Sequence, residues 1–304
     1  MRRAGFLFIA AVVALSMNGA AQKVFRSDVD LVHFTVTVTG KEGTPITALT
    51  AQDFEVVEGG KAQTIKYFAA GDPDAAPPLH LGFLLDLSGS MAEDIRDVRT
   101  AAVKFLNAMD AAEDVTVVDF DTEVRRAQFR ATEYPRLIEH IRMRKPDGYT
   151  ALYDAMAVYL NGAADQTGDK IMIMYTDGGD TRSSLTLNEI LDLLKASDVT
   201  IYAIGYLEHQ SQSGRLEQRL GLQRFAEMTG GQALFPTSIK EVDKMYERIQ
   251  KEIGARYSLG YTSTDLRTDG KWREVDIRLT RKDLKGAKVR TRSGYYARFV
   301  GPAK

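Results

Sequence analysis

Four segments of this chain are apolar almost without interruption: HLGFLL (80–85), VTVVDF (115–120), KIMIMYT (170–176) and VTIYAIGY (199–206). Strands of that texture need cover on both faces, which a parallel sheet has and a hairpin with one wet side lacks. The segments between them have helical period. Ile95, Val98, Ala102, Phe105 and Met109 recur at steps of three and four, and so do Ile239, Val242, Met245, Ile249 and Ile253. Strand alternating with helix predicts an α/β domain over 79–254, its sheet mostly parallel and doubly wound with helices on both faces. VRRAQF (124–129) follows its strand too closely for a crossover and reads as an antiparallel edge hairpin.

On either side the pattern changes to period two. Val32, Phe34, Val36 and Val38 alternate with polar residues, and FEVVEGGKAQTIKYF reads as two short strands around a Gly-Gly turn. After Gly254, Tyr257, Leu259 and Tyr261 face one way, and Val275, Ile277 and Leu279 alternate with Glu274, Asp276 and Arg278. Neither flank is long enough for a sheet core of its own. The expectation is one small β-sandwich, built from 22–76 and 255–300, into which the α/β domain is inserted.

The first residues carry a different signal. MRR, the apolar run AGFLFIAAVVALSM and the small residues NGAA stand in the order of a secretory signal peptide, residues 1–21, with cleavage after Ala21. The apolar run is short of the ~20 residues a spanning helix needs, and no later run is long enough to span a bilayer. The chain has no cysteine, which excludes disulfides and a lipid-anchored form of the signal. An exported protein, periplasmic or secreted, fits these features. A formal charge of −1 gives no reason to expect a nucleic-acid partner. The stretch 267–298 is basic, with eleven Lys/Arg against four Asp/Glu, and reads as a solvated β surface.

In doubly wound sheets ligands bind beyond the carboxyl ends of the strands. Three polar clusters arrive there. DLSGSM ends the first strand with Asp86, Ser88 and Ser90; TDGGD ends a later one with Asp177; PDGYTAL places Thr150 at a loop-to-helix junction. Hydroxyls and carboxylates are hard oxygen ligands, suited to an octahedral ion such as Mg2+ that keeps some of its waters. The Gly178-Gly179 pair would let the backbone pass close to the ion. Asp119, Asp121, Asp154 and Asp180 read as turn, cap and helix-dipole residues, and the four histidines do not cluster in the sequence.

These five positions, on three elements in this order, resemble the metal-ion-dependent adhesion site of the von Willebrand factor type A domain. The resemblance covers roughly 79–254. It implies that Ser88, Ser90 and Thr150 contact the ion through hydroxyls while Asp86 and Asp177 act mostly through water. It also implies that the threonine approaches the ion when a ligand carboxylate binds, and that the last helix shifts with it. An ion held by neutral hydroxyls stays electrophilic, so an Asp or Glu side chain of a partner protein can complete its shell. The expectation is an exported, divalent-cation-dependent protein-binding module for adhesion or complex assembly. Mg2+ is the expected ion, with Mn2+ or Ca2+ as substitutes, and Leu87, Met91, Tyr149 and Arg182 form the ligand surface. No catalytic residue is assigned: there is no Gly-rich phosphate loop with Lys, no cysteine nucleophile and no histidine placed as an evident base. The alternatives are a Mg2+-dependent hydrolase or phosphotransfer enzyme with Asp86 as nucleophile, and a structural subunit whose ion stabilises the fold.

Overall fold

The structure, a computed structural model, describes residues 31–70, 76–109, 111–177 and 179–300. The expected signal segment and Gly178 lie outside the described residues. In chain order the strands and helices are β1 (Leu31–Thr39), β2 (Phe54–Glu58), β3 (Lys61–Gln63), β4 (Ile65–Ala70), β5 (Leu79–Asp86), α1 (Ile95–Asn107), β6 (Ala112–Phe120), β7 (Val124–Arg130), α2 (Tyr134–Met143), α3 (Leu152–Ala163) and β8 (Asp169–Thr176). They continue with α4 (Leu187–Ala196), β9 (Thr200–Gly205), α5 (Gln212–Met228), β10 (Gln232–Leu234), α6 (Val242–Gly254), β11 (Tyr257–Thr262), β12 (Trp272–Leu279), β13 (Lys288–Arg290) and β14 (Gly294–Tyr296).

The continuous apolar segments form the centre of a six-stranded sheet in the order β10-β9-β8-β5-β6-β7. Every pairing in it is parallel except β6 with β7, the predicted edge hairpin. Both faces are covered. Phe83, Leu85 and Tyr175 pack with Val98, Phe105 and Tyr246 of α1 and α6 on one side. Leu84, Met172 and Met174 pack with Met156, Ile190 and Phe225 of α3, α4 and α5 on the other. The chain leaves β5 toward β6 on one side and returns to β8 on the other, so the direction of winding reverses beside β5. In folds of this kind a crevice for ligands lies at such a reversal, here the carboxyl ends of β5 and β8.

The flanks make two four-stranded antiparallel sheets, β13-β1-β11-β4 and β14-β12-β2-β3. Each sheet mixes strands from before and after the α/β segment. Their inner faces share one core of Phe34, Val36, Phe54, Val56, Tyr257, Leu259, Tyr261, Val275 and Ile277. The segment read as two strands is three: β2 and β3 pair around Gly59-Gly60, and the chain then changes sheets at Thr64 so that β4 pairs with β11. A residue with alternating neighbours on both sides gives no sequence sign of such a change.

Between the sandwich and the α/β sheet lies the Asp169 carboxylate, 1% exposed at the start of β8. It accepts hydrogen bonds from Thr35 (3.0 Å), Arg256 (2.7 Å) and Ser258 (3.2 Å). Strands of the sandwich thereby anchor the end of β8 opposite the crevice.

Candidate metal centre

β5 ends inside the protein. The Asp86 side chain is 0% exposed, and its two oxygens accept from the Thr176 hydroxyl at 2.6 Å and from the Ser88 amide at 2.9 Å. Burial, together with the nearby Asp177 carboxylate, pushes the Asp86 pKa up to about 6. Among the described residues neither carboxylate has an ion-pair partner. A buried negative charge is costly unless it is paired, coordinates a metal or takes up a proton.

The turn after β5 brings the two serines together, with Ser88 Oγ and Ser90 Oγ 3.1 Å apart. Adjacent ligands in an octahedron with bonds of 2.0–2.1 Å are about 3 Å apart, so the two hydroxyls fit two corners of one Mg2+ shell. Backbone hydrogen bonds draw the second loop onto this turn: Asp147 N donates to Leu87 O (2.9 Å) and Gly89 N to Gly148 O (3.1 Å). Gly148 has φ +75°, and a Cβ there would lie 2.3 Å from Thr122 Oγ1, so only glycine fits that approach. Thr150 is buried; its amide donates to Thr181 Oγ1 at 2.9 Å, and its carbonyl accepts from the amides of Thr181 and Arg182. The turn holding Ser88 and Ser90, the loop of Thr150 and the loop after β8 are thus one hydrogen-bonded unit.

Among the described residues no three His, Cys, Asp or Glu side chains gather as a metal cluster. An ion here would need the hydroxyls as donors. The histidines are dispersed and each faces a separate carboxylate: His33 with Asp169, His80 with Asp114, His140 with Asp119 and His209 with Asp94. Asp121 is held by Arg125, Asp154 accepts the amides of Ser184 and Leu185, and Asp180 accepts from Ser183 Oγ, so these three serve loop geometry.

Two of the four expected surface residues are elsewhere. Leu87 and Met91 are 1% and 2% exposed and belong to the core beneath α1. Their serine neighbours line the crevice and they alternate with them, so proximity in sequence misplaced them. Tyr149, 64% exposed, and Arg182 do lie on the surface. Sequence reading also missed two residues of the site. Thr176 holds Asp86, and Gln210 reaches from the loop before α5 to donate to Asp177 at 3.2 Å. Thr176 stands as the last residue of an apolar strand, which hints at its position; nothing local marks Gln210.

A family model for the von Willebrand factor type A domain matches residues 80–248. A search of curated proteins finds no match. Among solved structures, the pilus adhesin SpaC from Lactobacillus rhamnosus GG in its open conformation shares the fold with a TM-score of 0.50, at 11% identity over 85% of this chain and 48% of that one. A von Willebrand factor type A protein from Catenulispora acidiphila aligns at 14% identity over 91% of this chain and 76% of that one, with a TM-score of 0.49. The PilB minor pilin from Streptococcus sanguinis aligns at 15% identity over 59% of this chain, with a TM-score of 0.48. This chain spans 62% of that pilin, less than two thirds of its length.

Proposed function

This chain belongs to the von Willebrand factor type A domain family, and from that premise we propose that it is an exported, divalent-cation-dependent protein-binding module for adhesion or complex assembly. The observation that carries the reading is the pairing of two serine hydroxyls 3.1 Å apart with a fully buried carboxylate that has no cationic partner among the described residues. Ser88, Ser90, Thr150, Asp86 and Asp177 would hold the ion, with Mg2+ the best match to the donor set and Mn2+ or Ca2+ as substitutes. Bound there, a divalent cation supplies a Lewis-acidic position for the carboxylate of an Asp or Glu on a partner protein.

The chain's own residues prepare that position. Thr176 and the Ser88 amide fix both oxygens of Asp86, so this carboxylate serves as a stationary charge at the floor of the crevice. The three hydroxyls are neutral, and with both Asp86 oxygens already held by Thr176 and Ser88 the ion would stay electrophilic toward an incoming carboxylate. Tyr149 and Arg182, exposed on the loops that position Thr150, form the rim against which a partner would rest. Arg182 there would favour an acidic partner and disfavour a basic one. Export to the periplasm or beyond rests on the pattern of residues 1–21; among the described residues no helix is long and apolar enough to cross a membrane.

The test is retention of envelope proteins on immobilised chain in Mg2+ and in chelator, with a Ser88→Ala, Ser90→Ala variant beside it. The reading expects a protein retained by the native chain only in Mg2+ and not retained by the variant. Retention unaffected by both chelator and substitution would remove the metal from the function.

A further inference from the structure

Many arginines among the described residues stand in ion pairs. In the basic C-terminal stretch Arg267 pairs with Asp265, Arg273 with Asp265 and Asp269, Arg278 with Asp276, Arg281 with Asp283 and Arg290 with Glu252. Surface cavities that hold arginines also hold carboxylates: Asp192 beside Arg224 and Arg292, Glu208 beside Arg215 and Arg219.

The cavity between α1 and α2 departs from that rule. It encloses about 300 Å³ and is lined by Ile95, Arg96, Arg99, Thr100, Val103 and Arg142, three guanidinium groups and no acid. Among the described residues no carboxylate forms an ion pair with Arg96, Arg99 or Arg142. Arg99 donates instead to the carbonyls of Arg142 and Arg144 at the end of α2, and its Nε is buried without a partner. Asp119, whose charge acts on Arg99, is already shared by His140, Arg125 and Arg144. Guanidinium groups without a carboxylate around one cavity, Arg99 half-buried and Arg96 and Arg142 exposed, can take a bidentate anion.

The position of this cavity gives it a use. α1 begins four residues after Met91, and Arg142 stands at the end of α2, from which the chain runs directly into the loop of Asp147, Gly148 and Thr150. Both walls therefore lead into the two segments that build the candidate metal centre.

We propose that Arg96, Arg99 and Arg142 form an anion pocket that receives a second carboxylate of the acidic partner segment whose first carboxylate engages the metal centre. The proposal rests on the binding function inferred above for that centre. Occupying both positions fixes the register of the partner, since one carboxylate alone leaves it free to rotate. It also restricts the partner to segments with two acidic residues at a set separation. A single acidic residue would give a weaker and less selective contact.

The probe is a fluorescent peptide of ten glutamates, titrated with the full chain and read by anisotropy, in chelator and in millimolar Mg2+. Arg96→Gln, Arg142→Gln is the variant of choice because both side chains are exposed, and Arg99 is left to hold the end of α2. In chelator the native chain is expected to bind the peptide, and the variant to bind about tenfold more weakly. A control that removes two exposed charges elsewhere, Lys240→Gln in the turn before α6 with Lys244→Gln in α6, is expected to bind like the native chain. Equal affinity for native and Arg variants in chelator overturns the pocket, as does an equal loss in the lysine control. Inorganic phosphate is expected to compete with the peptide; binding of phosphate with none of the peptide overturns the assignment to a partner carboxylate. Failure of the metal reading looks different: Mg2+ would then add nothing in the native chain, while the difference between native and Arg variant in chelator would persist.

Discussion

Asp86 makes no contact with solvent, and the burial that pushes its pKa up to about 6 is reinforced by Asp177. Binding of a cation between them relieves both costs, so stability should follow occupancy. At 100 times the dissociation constant a single bound ion stabilises a fold by about 2.7 kcal/mol, a shift on the order of 5 °C for a chain of this size. We predict that millimolar Mg2+ raises the melting temperature of the native chain by that order, and leaves Asp86→Asn unchanged; equal rises in both would move the ion elsewhere. Gln210 should matter at one remove. Its carboxamide orients Asp177, and outer partners of metal ligands typically control affinity by a factor of ten or more. Gln210→Ala is therefore expected to weaken Mg2+ binding about tenfold by calorimetry without lowering the melting temperature measured in chelator. How far the site could be read in the sequence follows from the same residues. Asp86, Ser88 and Ser90 announce themselves because a buried strand has no local need for three oxygen side chains. Gln210 does not, because only tertiary packing carries its loop over β8. Leu87 and Met91 were misplaced because a turn sends successive side chains to opposite sides.

At the scale of elements, β5 is the strand on which the rest depends. It is central in its sheet, buried along its whole length, and passes under α3 so closely that a Cβ on Gly82 would lie 2.2 Å from the Tyr159 ring. Gly82→Ala should therefore force Tyr159 aside and cost about 1–3 kcal/mol, read as a lower denaturant midpoint with an unchanged slope. An unchanged midpoint would mean that α3 sits further from the sheet than described. The continuous strands and amphipathic helices made this layer legible, since period and apolar length are local properties. The flanks were legible only as β. Alternation says that a strand has one wet face; it does not say which sheet the strand joins. The change of sheet between Gln63 and Ile65 carries no glycine or proline to mark it.

For the whole molecule, the consequence of interleaved flanks is that neither can be removed alone. A fragment of residues 79–304 would expose Tyr257, Leu259, Tyr261, Val275 and Ile277, and should aggregate, while 79–254 should stay soluble. A soluble, monomeric 79–304 fragment with its β signal intact would contradict the shared core. Asp169 joins the two parts, and Asp169→Ala leaves the mostly buried Arg256 without its carboxylate, an expected loss of about 3 kcal/mol in global stability. α6 runs into β11 with only two residues between them, so a movement of that helix would be felt by the sandwich strand that pairs with β1 and β4. Such coupling requires a ligand that distinguishes two positions of the helix. The proposed binding function depends on a divalent cation held at the ends of β5 and β8 through serine hydroxyls. Titration of Mn2+ into the full chain, with free ion counted by electron paramagnetic resonance, tests it most directly. One ion bound per native chain, with affinity lowered at least about tenfold in Ser88→Ala, Ser90→Ala, is the predicted result. Equal binding by both chains, or none by the native chain, would contradict it.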